Sequence, residues 1–172
     1  MKKIFVKSKN LEIRKFEKKH ISEKYISWLN NKKLMKYSDQ RFYKHDFKSV
    51  INYFDSMKKT NNFFFAIIEK SSLLGHIGNI SVYFDKHNKT AEISILIGEK
   101  KARGLGYGLE AWNSVLIELL KMKSVNKVVA GTLKINKKMV SIMKRSKMKK
   151  AGERKSFIYH NKSYQDLVFY HQ

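Results

Sequence analysis

Residues 92 to 112 read Glu-Ile-Ser-Ile-Leu-Ile-Gly-Glu-Lys-Lys-Ala-Arg-Gly-Leu-Gly-Tyr-Gly-Leu-Glu-Ala-Trp, and this stretch decides the fold. Isoleucine at every second position from residue 93 to 97 predicts a strand. Gly104, Gly106 and Gly108 predict a sharp turn, because glycine adopts backbone conformations that are costly for other residues. Apolar residues then recur at helical spacing: Leu109, Trp112, Leu116, Leu119 and Leu120. The sequence therefore predicts a strand, a glycine-rich turn and a helix whose N-terminus faces that turn.

The glycine-rich turn is suited to binding a phosphate group. Its backbone N–H groups can point at one ligand, and the positive end of the helix dipole strengthens their field. A Walker loop requires Gly-Lys-Ser/Thr after its last glycine, whereas Leu109 and Glu110 follow here. A dinucleotide-binding fingerprint requires a glycine at position 109. Spacing therefore excludes both of these nucleotide-binding motifs.

The turn fits a third phosphate-binding pattern. Residues 103–108 match Arg/Gln-x-x-Gly-x-Gly/Ala and resemble the pyrophosphate loop of the GNAT family of N-acetyltransferases. This resemblance implies acetyl-CoA as the acetyl donor. The implied cofactor-binding residues of the loop are Arg103, Gly104, Leu105, Gly106, Tyr107 and Gly108. A glycine-rich turn without a ligand is the alternative at this stage.

Length and composition limit the class of protein. The chain has 172 residues, is 42% hydrophobic and contains no cysteine. These values suit a single domain over residues 1–172 with its own core. The absence of cysteine excludes disulfides, thiol catalysis and cysteine-ligated zinc, and no histidine pairing predicts another metal site. Because no apolar run of 18 residues and no signal-peptide pattern occur, we expect a cytoplasmic protein without a membrane segment.

The net charge of +23 comes from 37 Lys and Arg against 14 Asp and Glu. Nucleic-acid binding would use such an excess to displace counterions from phosphates. The lysines are spread along the chain, however, and their abundance beside asparagine and isoleucine also fits an AT-rich genome. No RNA-binding motif occurs. A basic RNA-associated module without enzymatic activity is therefore a disfavoured alternative, although the charge would help to capture polyanionic coenzyme A.

The remaining patterns predict an α/β domain with a mostly antiparallel sheet. Strands are predicted at residues 3–6, 11–14, 63–68, 73–83, 92–97, 127–133, 156–159 and 165–170, and helices at 20–29, from 47, from 109 and at 136–145. With the extended segments at 3–6 and 11–14 counted as one unit, the order is β-α-α-β-β-β-α-β-α-β-β, which is the topology of the GNAT family. The resemblance implies about seven strands and about four helices, with the fourth and fifth strands splayed apart.

The resemblance extends over roughly residues 11–170. Residues 76–80, 91–93 and 104–111 resemble the ribosomal-protein alanine acetyltransferases of this family. Residues 136–153 resemble the segment Asn…Lys-x-Gly-Phe-x-x-x-Gly-Glu of that branch, although Lys147 and Met148 replace Gly-Phe. Residues 164–166 resemble its closing Tyr-x-Asp. The chain is thereby identified as a member of the GNAT family.

Family resemblance also implies roles for individual residues. Glu92 lies eleven residues before Arg103, in the position of the general-base glutamate of histone-acetylating members, and pairing with a lysine is the alternative. The region of Leu96 and Ile97 would supply a backbone N–H to the oxyanion, and Asn136 would contact the cofactor arm. Many members have a tyrosine acid seven residues after this asparagine. Met143 stands there in this chain, so no general acid is assigned.

The acceptor site is predicted to be formed by residues 25–45 and by the strands around Asn79 and Glu92. Aromatic side chains with polar tips suit stacking on a sugar or base, while arginine suits a phosphate or carboxylate. The candidate substrate-binding residues are Trp28, Tyr37, Gln40, Arg41 and Asn79. The alternative places Trp28 in the core and Arg41 in solvent.

Three acceptor classes are considered. Residues 28–30 and 40–42 resemble members that acetylate nucleotide-linked amino sugars, and direct attack by such an amine in a ternary complex is the first expectation. The N-terminus of a ribosomal or other protein is the alternative, favoured by the positive charge. Polyamines come third, because Asp39 is the single carboxylate between residues 25 and 45. We expect neither a membrane nor a nucleic-acid partner, and both a monomer and a homodimer remain open.

Overall fold

The computed structural model describes residues 6–60, 62–71 and 73–172. Within these residues, eight strands form one sheet in the order β1-β2-β3-β4-β5-β6-β8-β7. The strands are β1 (Val6–Lys7), β2 (Leu11–Lys15), β3 (Phe63–Glu69), β4 (His76–Asp85), β5 (Thr90–Ile97), β6 (Lys127–Leu133), β7 (Lys149–His160) and β8 (Ser163–His171). The α-helices are α1 (Glu23–Leu29), α2 (Lys32–Met35), α3 (Phe47–Lys59), α4 (Tyr107–Leu120) and α5 (Lys137–Arg145). Three 3₁₀ turns cover Lys18–His20, Asp39–Phe42 and Lys100–Ala102.

All neighbouring strands are antiparallel except β5 and β6, which are parallel. These two strands pair at only three positions, the last of which joins Glu92 to Val129. β5 continues to Ile97 and β6 to Leu133 without pairing further with each other. A gap therefore opens between the carboxyl ends of these two strands. The α/β fold, the mostly antiparallel sheet and the splayed strands predicted from the sequence are thereby confirmed.

Different helices cover the two faces of the sheet, because alternate residues of each strand point to opposite faces. On one face, α4 and α5 pack around the fully buried Trp112 and against Ile80 and Ile93 of the sheet. On the other face, α1 and α3 pack around Phe16 and Phe54. On this second face the helices leave the polar residues Glu92 and Ser94 of β5 exposed.

Several boundaries differ from the predicted ones for local reasons. The helix predicted from His20 begins at Glu23, because Ser22 caps it by accepting a hydrogen bond from the Tyr25 N–H. The strand predicted from residue 73 begins at His76, after Gly75 turns the chain with a φ of 59°. The short helix α2 is an addition to the predicted order. Residues 3–5 of the first predicted strand lie outside the described residues, as does residue 72 between the strands predicted at 63–68 and 73–83.

The end of α5 accommodates the two residues that depart from the family pattern. Lys147 has a φ of 63°, in the left-handed region that glycine adopts without strain. The N–H of Lys147 donates to the carbonyl of Lys144 (3.0 Å), and the N–H of Met148 donates to that of Met143 (3.1 Å). This pair of bonds is a Schellman motif. The helix therefore ends as it would with glycine at position 147. The buried side chain of Met148 occupies the core in place of the family's Phe.

Candidate functional site

The loop between β5 and α4 leaves free space at the N-terminus of α4. Gly104 and Gly106 have φ values of 87° and 82°, and nothing lies within 4 Å of a Cβ built on either residue. Gly106 is the N-cap of α4 and provides no side-chain cap. Because the first N–H groups of a helix have no acceptor within the helix, this turn leaves several donors for an anion.

The loop is attached to the end of β5 and to α1. The Arg103 Nε–H donates to the carbonyl of Ile97 (3.2 Å), and its Nη2 contacts the carbonyl of Gly98. Trp28 packs directly on the backbone of Gly98, since a Cβ built there would lie 1.9 Å from Cδ2 of the indole. The glycine-rich loop is therefore fixed relative to both β5 and α1.

Predicted cofactor-arm residues flank the gap between the splayed strands. Leu96 and Ile97 lie on β5 beyond its last residue paired with β6. Asn136 follows β6 as the N-cap of α5, where its Oδ1 accepts from the Met139 N–H (3.4 Å) and its Nδ2 donates to Thr132 Oγ1 (3.0 Å). Met143 is fully buried in the core. A ligand entering this gap would thus lie between β5 on one side and the start of α5 on the other.

Glu92 lies where β5 and β6 begin to separate. It is opposite Tyr83 on β4 and Val129 on β6, and its side chain is exposed. Within the described part of the chain, Glu92 forms no ion pair. The carboxylate can therefore accept a proton from an amine or from water on the second face of the sheet.

Residues 36–43 and the tip of the β7–β8 hairpin form a second group of side chains, which we call the cationic wall. The rings of Tyr37 and His160 lie 5.6 Å apart and join the two segments. Burial lowers the pKa of His160, and the charges of Arg41 and Lys36 lower it further. Arg41 donates to the Ser38 carbonyl (2.9 Å) and to Asp39 Oδ1 (3.3 Å). This wall can attract an anionic part of a ligand.

The other predicted substrate-binding residues occupy different depths. Gln40 is exposed beside Arg41 on this wall. Trp28 is only 6% exposed, and its ring lies 5.1 Å from that of His76. Asn79 is buried, and its Oδ1 accepts from His76 Nε2 (2.9 Å). Trp28 and Asn79 are therefore packed in the interior, whereas Gln40 and Arg41 lie nearer the surface.

Sequence reasoning missed the residues that reach the site from distant elements. His160 enters through the hairpin, and no local sequence signal marks it. Tyr53 on α3 hydrogen-bonds with Ser81 and Tyr83 of β4. The alternation of β4 could have placed Ser81 and Tyr83 on the face of Asn79. No group of three or more His, Cys, Asp or Glu side chains is arranged to hold a metal ion anywhere in the described residues.

Comparisons with known proteins agree with this geometry. The model of the family described as "Acetyltransferase (GNAT) domain" matches residues 10–149. No curated protein matches the sequence. None of the helices in the described ranges has the length and hydropathy that a membrane-crossing helix requires.

Three solved structures show how closely the fold is shared. A GNAT-family acetyltransferase from Bacillus anthracis has a TM-score of 0.82 and 23% identity over 98% of both chains. The ribosomal L7/L12 α-N-protein acetyltransferase RimL, in complex with coenzyme A, has a TM-score of 0.85 and 16% identity over 98% of this chain and 97% of that one. Spermidine N-acetyltransferase from Vibrio cholerae, in complex with coenzyme A and spermine, has a TM-score of 0.84 and 18% identity over 95% of both chains. Because the last two proteins are named for different acceptors, the fold does not determine the acceptor.

Proposed function

The chain belongs to the GNAT acetyltransferase family, and from this premise we propose that it transfers the acetyl group of acetyl-CoA to the amine of a nucleotide-linked amino sugar. Its membership makes the protein an acetyltransferase.

The turn at Gly104 and Gly106 carries the assignment of the donor. Both glycines hold left-handed conformations with free space around them, and α4 begins at the second. The pyrophosphate of acetyl-CoA would bind the N–H groups of residues 104–108, with Arg103 beside them. Leu96, Ile97 and Asn136 would line the gap that takes the pantetheine arm. Acetyl-CoA, when bound, supplies the thioester carbonyl that the acceptor amine attacks.

The chain's residues account for two parts of the transfer. Glu92 is exposed on the face where the acceptor amine would approach, and it would take the amine's proton directly or through one water. A backbone N–H at Leu96 or Ile97 would stabilise negative charge on the carbonyl oxygen. We assign no general acid, because Met143 is buried and has no proton to donate.

The charges of the cationic wall are the evidence for the proposed acceptor. Residues 32–45, which include residues 36–43 of the wall, contain five Lys or Arg residues and a single carboxylate, Asp39. Asp39 is itself paired with Arg41, whose side chain is only 14% exposed. A partly buried guanidinium interacts with phosphate more strongly than an exposed one, because solvent screens it less. The wall therefore favours a diphosphate-linked acceptor and repels a polyamine.

An acceptor panel tests this proposal. The panel contains a uridine-diphosphate-linked amino sugar, free glucosamine, spermidine and a peptide with a free N-terminus. Released coenzyme A can be followed with a thiol reagent, since the protein has no cysteine. We expect the highest kcat/KM for the nucleotide-linked sugar. A higher value for the peptide or for spermidine would contradict the acceptor assignment.

One matched pair of variants tests the wall itself. Arg41→Ala should lower kcat/KM for the nucleotide-linked sugar by about 10-fold or more, since bonds to charged groups contribute about 1.5–3 kcal/mol. It should leave the value for glucosamine nearly unchanged. Lys33→Ala removes an exposed charge from the same segment and should affect neither acceptor. An equal loss for both sugars in Arg41→Ala would mean that the arginine does not bind the phosphate.

A further inference from the structure

Three hydroxyl groups meet on the face of the sheet that α1 and α3 cover. We call Tyr53, Ser81 and Tyr83 the hydroxyl cluster. The Tyr53 Oη lies 2.9 Å from Ser81 Oγ and 2.7 Å from Tyr83 Oη. The Tyr53 ring packs edge-on against Phe64, with centroids 5.2 Å apart and an interplanar angle of 81°. The central hydroxyl is therefore held in place by both packing and hydrogen bonds.

Strand register places the hydroxyl cluster beside the proposed base. Tyr83 lies opposite Glu92, and Ser81 lies opposite Ser94, across β4 and β5. Side chains directly opposite each other in an antiparallel pair have Cβ atoms roughly 5 Å apart. Residues two apart on a strand share a face. The hydroxyl cluster, Ser94 and Glu92 thus form one continuous polar surface next to the point where β5 and β6 separate.

This surface keeps unused hydrogen-bonding capacity. Each hydroxyl can donate one bond and accept two, so two internal contacts do not exhaust three hydroxyls. Tyr83 is 40% exposed, and Ser94 is exposed with no side-chain hydrogen-bond partner among the described residues. Burial raises the pKa of Tyr53, so its phenol stays protonated and remains a donor. The surface can therefore both donate to and accept from a ligand.

Side chains that both donate and accept hydrogen bonds are suited to the hydroxyl groups of a sugar ring, because these hydroxyl groups also donate and accept. A polyamine offers no such groups, and a peptide N-terminus offers few. We propose that the hydroxyl cluster and Ser94 bind the hydroxyl groups of the acceptor's sugar ring and so place its amine beside Glu92. This inference rests on the proposed function, and it assigns the sugar-recognition residues that the family resemblance leaves open.

Tyr83→Phe tests the inference, because it removes one oxygen from an exposed side chain. We expect KM for the uridine-diphosphate-linked amino sugar to rise about 3- to 10-fold, in line with one hydrogen bond of about 0.5–1.5 kcal/mol. The kcat and the affinity for acetyl-CoA should be unchanged. Tyr170→Phe makes the same chemical change at a tyrosine of β8 that packs in the core beneath α4 and α5. This control should leave KM as it is in the wild type.

Deoxy analogues of the acceptor separate recognition from a merely structural effect. For the analogue that lacks the hydroxyl bound by Tyr83, wild type and Tyr83→Phe should have the same KM, whereas other analogues should keep the difference. An unchanged KM in Tyr83→Phe, or the same loss for every analogue, would overturn the inference.

The outcomes also separate this inference from the proposed function. A protein that binds acetyl-CoA and acetylates the peptide but no amino sugar would overturn the sugar subsite, while acetyl transfer would stand. A protein that neither binds acetyl-CoA nor acetylates any amine in the panel would overturn both.

Discussion

Replacing Gly98 by alanine should be among the most damaging small changes in this protein. A Cβ at this position would lie 1.9, 2.1 and 2.5 Å from Cδ2, Cε3 and Cγ of Trp28. The indole would have to retreat by roughly 1.5 Å to regain ordinary van der Waals contact. Trp28 is only 6% exposed and is packed against Tyr25 and His76, so it has no free space to enter. We expect Gly98→Ala to lower the free energy of unfolding by about 3 kcal/mol, at the upper end of the usual cost of overpacking.

Urea denaturation measures this loss, with Gly104→Ala as the comparison. Gly104 has open space around its Cβ but a φ of 87°, so alanine there should cost only the strain of a left-handed residue, about 1–2 kcal/mol. The two variants therefore separate a steric clash from a backbone penalty.

A second comparison identifies Trp28 as the partner in the clash. Adding Gly98→Ala to Trp28→Leu should cost less than about 0.5 kcal/mol beyond Trp28→Leu alone, because the overlapping ring is gone and the two effects are coupled. A Gly98→Ala protein within about 0.5 kcal/mol of the wild type would refute the tight packing of α1 on the loop.

Three further predictions concern catalysis, the end of α5 and pH. Glu92→Gln should lower kcat by about 10²-fold or more and leave the affinity for acetyl-CoA intact, whereas a fully active variant would remove Glu92 from the mechanism. Lys147→Gly should raise the free energy of unfolding by about 1 kcal/mol, because glycine relieves the left-handed strain, while Lys144→Gly inside α5 should lower it by a similar amount. Burial lowers the pKa of His20 from 6.5 to about 4, so the unfolded chain binds a proton more readily and stability should decrease as the pH falls from about 6.5 towards 4. Urea titrations should show a weaker decrease in His20→Gln, whereas the same slope in His20→Gln and in the exposed His87→Gln would contradict this account.

Local sequence signals were sufficient to predict the elements that form the proposed cofactor site. The isoleucine alternation, the three glycines and the apolar spacing after them correctly predicted β5, the loop and α4. The helices predicted from residue 47 and at 136–145 begin at Phe47 and Lys137, where the side chains of Asp46 and Asn136 cap α3 and α5. These signals are local because capping and periodicity depend on residues within one or two turns.

The long-range contacts of Tyr37 and Tyr53 could not be predicted in the same way. The contact between Tyr37 and His160 joins residues that are far apart in sequence, as does the hydrogen bond between Tyr53 and Tyr83. Such contacts follow from strand register and helix packing, which no local pattern determines. The left-handed Lys147 was also beyond prediction, because the Schellman bonds around it hold a residue that propensity disfavours.

The measurement that tests the central claim most directly is a calorimetric titration with acetyl-CoA, in moderate salt, of the wild type, Gly106→Asp and Gly106→Ala. The aspartate variant would place a carboxylate where the pyrophosphate should bind, while the alanine variant controls for the left-handed backbone of Gly106, whose φ is 82°. We expect one equivalent to bind the wild type, weaker binding to Gly106→Ala and a loss of at least about 100-fold in Gly106→Asp, since an unpaired like charge costs several kcal/mol. Equal, weak and salt-sensitive binding to all three proteins would mean that the net charge of +23 merely attracts a polyanion, and it would contradict the assignment of the acetyl-CoA site.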